Sequence, residues 1–435
     1  MKKKLEVIYP NAAGIDIGSK FFYVDAGEEN IRVFPTFTSD CIELKDYLLS
    51  MNVNTVAMES TGVYWVILYS VLEESGIDVF LVNGRDVKNL PGRKSDVKDC
   101  QWLRQLHSYG LLRKSFIPDS NIRTVRSYLR LRQDHIRASA TQVNLMQKAL
   151  TQMNIRLAEV INDITGISGL RIIEAIIAGE RNPEVLLDMC VSQLKNKKSD
   201  LILKALVGHY REEHIFALKQ ALNTWSYYKA LILECDKEIE NQLNKLTNQM
   251  DSPEVKNLRK PIRYNKPQIK DLHIPLLKLS QSKDPINIAG ITDYSFLQIM
   301  SEVGTDLTRW PTEKHFTSWL KLAPMRASSG KMSKRISMKR HNNAGQLFRN
   351  LAQGILTSKH IALGAFGRRI RARRGSGVAI KAIARKIATY YYRVMKEGNE
   401  FVEIGLINYE QYLKDKQILS LQKVALNLNF KLVKI

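Results

Sequence analysis

Four acidic residues stand where a metal-dependent phosphodiesterase needs oxygen ligands. Asp16 interrupts the apolar run Gly14-Ile15-Asp16-Ile17-Gly18-Ser19-Lys20. Glu59 ends Thr55-Val56-Ala57-Met58-Glu59, and Asp96 and Asp99 fall in Gly92-Arg93-Lys94-Ser95-Asp96-Val97-Lys98-Asp99. A carboxylate in a strand that reads as buried costs free energy unless a cation or a metal compensates it. Strand alternation can turn Asp16 away from Ile15 and Ile17, and Asp96 and Asp99, three apart on a helix, share one face. Together the four make an oxygen-rich cage suited to Mg2+. Two ions about 3.5–4 Å apart would activate a nucleophile and stabilise a leaving oxygen at a phosphodiester. Three of the four also have a plainer reading: Asp96 as a helix cap, Asp99 as a solvated side chain, Glu59 as part of a turn with Ser60, Thr61 and Gly62.

These carboxylates sit in a strongly basic chain. Its 435 residues hold 66 Lys and Arg against 43 Asp and Glu, a formal net charge of +23. Such a surplus is the electrostatic footprint of a nucleic-acid binder. The charge is clustered. Arg368, Arg369, Arg371, Arg373 and Arg374 form the densest run; Lys381, Arg385, Lys386 and Arg393 follow, interleaved with Tyr390, Tyr391 and Tyr392. Earlier, Arg123, Arg126, Arg130, Arg132 and Arg137 crowd one helical stretch. Such charge holds phosphates without reading sequence, although a solvated face accounts for part of it. No base-reading module is recognisable. Cys41, Cys100, Cys190 and Cys235 form no CxxC pair and the eight histidines lack ligand spacing, so neither a zinc site nor a disulfide framework is expected. No signal-peptide core follows Met1-Lys2-Lys3-Lys4, and no apolar run approaches about 20 residues. A reducing cytoplasm fits these features.

The elements that must position the carboxylates read as follows. Residues 1–118 form an α/β domain, with strands near 13–19, 21–26, 31–37, 55–58 and 78–82 and helices near 40–51, 63–75 and 95–109. That order predicts a mixed sheet covered by helices. Residues 119–251 read as almost wholly helical. Leu218, Leu222, Trp225, Ile232, Ile239, Leu243 and Leu246 recur at three, four and seven, with Lys229 and Asp236 at skipped positions. This is a coiled-coil-like seam, open to self-association or to packing within the chain. Residues 252–283 read as a basic linker punctuated by Pro253, Pro261, Pro267 and Pro275. Residues 284–399 read as a helical domain, and 400–435 as an amphipathic tail with no assigned role.

The motifs resemble the DEDD transposases of bacterial insertion sequences, a group related to the Piv DNA invertases and described as bridge-RNA-guided recombinases. The resemblance spans most of residues 10–397. It rests on the Asp16 run, Met58-Glu59-Ser60-Thr61-Gly62-Val63-Tyr64-Trp65, the Asp96/Asp99 run continuing to Trp102, Gln147-Lys148-Ala149-Leu150, Gly166-Ile167-Ser168-Gly169 and Ala178-Gly179-Glu180. It implies a RuvC-like (RNase H-like) domain with Asp16, Glu59, Asp96 and Asp99 as ligands of Mg2+, for which Mn2+ can substitute. It further implies a coiled-coil region, a mainly α-helical C-terminal transposase domain with a nucleophilic serine, a guide RNA and double-stranded DNA as substrate. Recombination must hold two duplexes in one assembly, so a homo-oligomer, a dimer or a dimer of dimers, is expected, in the bacterial cytoplasm at the nucleoid. The serine falls on Ser329 counted forward from Pro324, and on Ser328 counted back from Lys339-Arg340-His341-Asn342. Three positions depart from the pattern: Lys321 stands where glycine is usual, Lys339–Asn343 replaces a lysine-glycine-asparagine turn, and Gly290 lacks a preceding proline.

Read from the residues alone, Ser-Ser-Gly in a basic loop is a common turn, and a serine hydroxyl is a poor nucleophile until a base, metal or strong field activates it. Lys331, Lys334, Arg335, Lys339 and Arg340 supply nearby positive charge for a phosphate. Two rival readings stay open: a RuvC-like junction nuclease that uses water, and a non-catalytic nucleic-acid-binding scaffold. An actin-like or sugar-kinase-like ATPase also places Asp-Ile-Gly-Ser-Lys after a strand, but its second phosphate loop and adenosine site are missing.

Overall fold

The structure, a computed structural model, describes residues 6–28, 31–60, 62–84, 96–255, 260–262, 264–324, 326–329, 332–335, 342–398 and 406–431. It divides into two units, residues 1–117 and 118–435. In the first, short β-branched runs form β1 (Ala12–Ile17), β2 (Phe21–Asp25), β3 (Arg32–Pro35), β4 (Thr55–Glu59) and β5 (Asp78–Val82). They make one five-stranded sheet in the order β3-β2-β1-β4-β5. The β1–β2 and β2–β3 pairs are antiparallel, and β1–β4 and β4–β5 are parallel.

Among the described residues, three helices cover this sheet: α1 (Thr38–Ser50), α2 (Trp65–Glu74) and α3 (Asp96–Ser108). Ile15, Ile17, Val56, Met58, Val79 and Leu81 share one face and pack with Cys41, Leu44 and Leu48 of α1 and Leu68 and Leu72 of α2. The opposite face carries Gly14, Asp16, Glu59 and Val82, and Leu103 of α3 packs with Val82 there. The mixed sheet covered by helices is therefore the observed architecture.

The second unit is mostly helical. Its frame is α4 (Ser120–Gln152) and, after α5 (Leu157–Val160), α6 (Ile167–Ala178), α7 (Pro183–Asp188) and α8 (Ser192–Leu206), the long α9 (Glu212–Thr247). Asp119 starts α4 by accepting hydrogen bonds from Asn121 N and Ile122 N. Helix α9 runs back along α4: Met146 clusters with Leu218, and Arg132 meets Asp236. Leu218, Leu222, Ile232, Ile239 and Leu243 are buried by this packing. The seam that spacing offered for self-association is used within the chain.

Asp236, at a skipped seam position, is 1% exposed, as is Arg132. Arg132 donates to Asp236 at 2.6 and 3.3 Å, to the Tyr294 hydroxyl at 2.8 Å and to the Asn265 carbonyl at 3.1 Å. Gln268 N donates to the same carboxylate at 3.0 Å. One buried ion pair thus joins both long helices to the 264–268 segment and the helix bearing Tyr294. Removing one partner strands the other charge, so Arg132→Ala is expected to cost about 3–5 kcal/mol. The Arg132→Met/Asp236→Leu double variant should recover most of it, read as the urea midpoint.

Downstream lie α10 (His273–Leu279), α11 (Asp293–Val303), α12 (Glu313–Trp319), the strands β6 (Arg326–Ser329) and β7 (Met332–Arg335), α13 (Asn343–Thr357), α14 (Ala362–Arg374), α15 (Ser376–Tyr392) and α16 (Leu406–Asn427). Part of the stretch read as linker is therefore docked: 273–279 is helical, and Lys260 donates to the Ile286 and Ile288 carbonyls. In the tail, Leu419, Leu421, Val424 and Leu426 of α16 are exposed.

Two buried histidines give the units opposite pH responses. His273 is held between Asp293 at 2.8 Å and Asp284 at 3.1 Å. Burial alone would lower its pKa; the two aspartates outweigh that and raise it to about 9. His107 of α3 is pushed down to about 4, chiefly by burial. Stability from His273 is full below about pH 6.5 and lost as pH rises through about 9. Stability from His107 is full above about pH 6.5 and lost as pH falls toward 4. His273→Gln is expected to flatten the alkaline limb of the unfolding profile, and His107→Gln the acid limb, in melts taken from pH 4 to 10.

Candidate active site

The site is built where β1 and β4 end. Ile15 pairs with Met58 in the parallel register, so Asp16 and Glu59 are the next positions on adjacent strands. Partnered positions share a face, so both carboxylates lie on the face opposite the α1/α2 core. Ligands of open α/β sheets sit at this carboxyl edge of the strands.

Helix α3 is fitted to that face by a glycine. A Cβ at Gly14 would stand 2.2 Å from the Cys100 carbonyl oxygen and 2.4 Å from Arg104 N, so only glycine lets the helix lie this close. The helix runs opposite to β1. Its Ser108 carbonyl accepts from Ile8 N and Tyr9 N before β1 begins, and Arg104 Nε donates to the Ala12 carbonyl at 3.2 Å. His107 Nε2 lies 2.8 Å from the Thr55 hydroxyl, at the first residue of β4. The N-terminal turn of α3, with Asp96 and Asp99, therefore points toward the edge that carries Asp16 and Glu59.

Sequence reasoning missed Asp25, a fifth acid on the same face, paired with Gly14 across the β1–β2 ladder. It is 7% exposed, accepts from Gly27 N at 2.9 Å and faces Arg104 at 3.7 Å. Its part is to anchor α3, and no local motif marked it because the partner lies 79 positions on. Cys100 is fully buried; burial first, then the charges of Asp25 and Asp16, push its thiol up to about 12. Such a thiol is inert.

The structure thus brings Asp16, Glu59 and Asp99 to one edge of one face. Among the described residues, no three His, Cys, Asp or Glu side chains lie close enough to hold an ion together; the Asp96 side chain lies outside the described residues. The donors are all carboxylate oxygens, the chemistry of a hard divalent ion. Room for them is kept by Gly84, where a Cβ would stand 2.0 Å from Glu59 Oε1. Gly84→Ala is expected to displace that carboxylate and reduce strand cleavage about 10–100-fold, the scale of a lost ligand support. The melting temperature should stay that of the parent.

Residues 13–155 match a family model for DEDD transposases of the IS110 type, and residues 286–361 match the transposase IS116/IS110/IS902 family. The chain belongs to this transposase family. The chain has no match among curated proteins. Membership carries a DNA-cutting recombinase role and DNA binding, and DEDD transposases are generally divalent-metal dependent. No helix of the transposase, among the described residues, is long and apolar enough to cross a membrane.

In the second matched region the serines lie in a hairpin. β6 pairs with β7 so that Ser328 faces Ser333 in the ladder and Ser329 faces Met332. Ser329 is thus the last strand residue before a two-residue connection. The start of α13 is tied to the end of α12. Asn342 accepts from Gly345 N at 2.6 Å, capping α13, and donates to the Trp319 carbonyl at 2.9 Å, at the end of α12. Gly345 permits this approach, since a Cβ there would stand 2.1 Å from the Leu320 carbonyl. Lys321 has φ +57°, a left-handed conformation that favours glycine, which accounts for the glycine usual in the family.

The basic residues divide. Arg369, Arg371, Arg373 and Arg374 are exposed at the end of α14. Arg368 is not a free phosphate contact, because it donates to the Ser358 carbonyl at the end of α13. Arg132 is buried as described, Arg130 is bound by Glu302 at 2.8 and 2.9 Å, and Arg137 pairs with Asp134. Arg130 and Arg132 thus read as structure, because acids distant in sequence engage them, whereas the Arg137–Asp134 pair is local and exposed. Lys331, Lys339 and Arg340, and the side chains of Ser328, Ser329, Lys334 and Arg335, lie outside the described residues.

Proposed function

We propose that this transposase cuts and rejoins double-stranded DNA through a RuvC-like (RNase H-like) carboxylate centre in residues 1–118 and a serine nucleophile in residues 284–399. In this reading 119–251 is the helical region, 252–283 the basic linker, and 400–435 a tail with no assigned role. The observation that carries the reading is the shared register of Asp16 and Glu59, with α3 laid by Gly14 across the same face. Asp16, Glu59, Asp96 and Asp99 would hold Mg2+ or Mn2+. Such an ion polarises phosphodiester oxygens and eases attack on phosphorus.

The protein's own part is nucleophile, alignment and charge. Ser329 is the leading nucleophile and Ser328 the alternative. The serine oxygen bonds to phosphorus, its proton leaves, and the displaced strand departs as a hydroxyl after taking up a proton. The seryl phosphate keeps the ester, so a hydroxyl of another strand can attack it and restore both a phosphodiester and the serine. Lys331, Lys334, Arg335, Lys339 and Arg340 neutralise the phosphate, and Arg369, Arg371, Arg373 and Arg374 hold backbone. Sequence choice is left to a bridge RNA, in keeping with the lack of a base-reading module. Two duplexes must be held together, so the working form is a homo-oligomer, with a contact other than the buried Leu218–Leu246 seam. The test is divalent-metal-dependent cleavage of DNA carrying the element's ends, with RNA that copurifies. A product covalently linked to protein supports the reading; cleavage without linkage favours the water-using nuclease, and binding without cleavage favours the scaffold.

A further inference from the structure

Helix α15 has two faces. Ile383, Ile387 and Tyr391 are fully buried on one. The other, from Val378 through Lys381, Arg385 and Tyr390 to Arg393, lines a cavity of about 640 Å³. Phe366 and Arg374 of α14, Lys314 of α12 and Leu322 and Pro324 complete its wall. Its volume lies within the roughly 300–1,000 Å³ of small-ligand sites.

The lining has the chemistry of a nucleotide site. Six side chains are cations, and the single acid, Glu313, is engaged by Arg393 at 2.6 Å. Lys381 and Arg385 are four apart on one helix, a spacing at which like charges repel, and an anion between them offsets that repulsion. Apart from Thr389, the rest is apolar or aromatic: Leu322, Pro324, Val378 and Ala382, with Tyr390 and with Phe366, over whose ring Lys386 Nζ lies at 4.7 Å. A phosphate needs the first set and a base face needs the second.

We propose that this cavity takes one unstacked nucleotide of a single strand, its phosphate on Arg374, Lys381 and Arg385 and its base against Phe366 and Tyr390. A closed duplex offers no free base face, so the site selects opened strands. The assignment rests on the reading of the chain as a strand-cutting transposase. From Pro324 to Ser328 the chain spans at most about 14 Å, so a nucleotide held here lies near the candidate serine hairpin.

The test is fluorescence anisotropy of the full-length protein with a 12-mer of oligo(dT), a 12-mer of oligo(U) and a 12-base-pair duplex. Phe366→Leu and Tyr390→Leu keep every charge. Each is expected to weaken single strands about tenfold, the scale of one lost base stack, and to leave the duplex unchanged. The Lys381→Gln/Arg385→Gln protein should lose about 0.7 of log–log salt slope per phosphate contact on single strands; it probes the same cavity should a ring variant fail to fold. A larger loss with oligo(dT) assigns the nucleotide to DNA, and with oligo(U) to RNA. Equal loss on single strands and duplex, or none, overturns the proposal. No step here needs cleavage, so the cavity can fail while a protein–DNA adduct still forms, and can stand where none does.

Discussion

Asp16→Ala and Glu59→Ala are each expected to reduce DNA strand cleavage by roughly 10³-fold or more, because groups that act as a unit fail together. Both residues lie in the last two positions of adjacent parallel strands, on the face that α3 covers. Neither side chain belongs to the buried apolar cluster on the other face, so the sheet should fold without them. Binding to DNA, assigned to the basic residues and not to these carboxylates, should stay near parental. The double variant should be no worse than the worse single, since the second loss falls on a centre already disabled. Asp96→Ala and Asp99→Ala should behave alike in cleavage. Asp25→Ala is the informative contrast. It removes the anchor of Arg104, so its activity loss should come with a lower melting temperature, which Asp16→Ala should not show. Full cleavage by Asp16→Ala and Glu59→Ala would remove the carboxylate centre from the reading.

The parts of this arrangement legible in the sequence are those fixed by local pattern. The buried run Thr55–Met58 and the alternation around Asp16 mark strands, and their order with the intervening helices marks a mixed sheet. Register was not legible: nothing local says that Ile15 meets Met58. The close seat of α3 was not legible either, although Gly14 stands two residues from Asp16, because the Cys100 carbonyl that demands it comes from a distant helix. Charge misled in a consistent way. Arg132 resembles its exposed neighbours in sequence, and partners far along the chain, Asp236 foremost, make it a core residue. The apolar stripe from Leu218 to Leu246 was visible, but a stripe does not name its partner; α4 does. His273 carried no motif, since its two aspartates approach it through tertiary packing.

A suicide DNA substrate is expected to leave a covalent adduct, and mass spectrometry should place it on the peptide that holds Ser328 and Ser329. Attack by a serine conserves the phosphoester, so religation needs no external energy source. It requires in-line geometry, worth several orders of magnitude in rate when the reacting groups are held rather than met by diffusion. The strand pairing places Ser329 at the end of β6, opposite Met332 of β7. Neighbouring strand positions alternate in face, so one serine, not both, should serve the phosphate. Ser329→Ala should abolish the adduct, whereas Ser328→Ala should keep it. The reverse result would move the nucleophile to Ser328 and leave the mechanism intact. Loss of the adduct in Asp16→Ala with DNA binding retained would show that carboxylates and serine act on one phosphodiester, whether one chain or two supply them. Metal-dependent cleavage that persists in both serine variants, with no adduct in any, would make water the nucleophile and leave the hairpin a structural element.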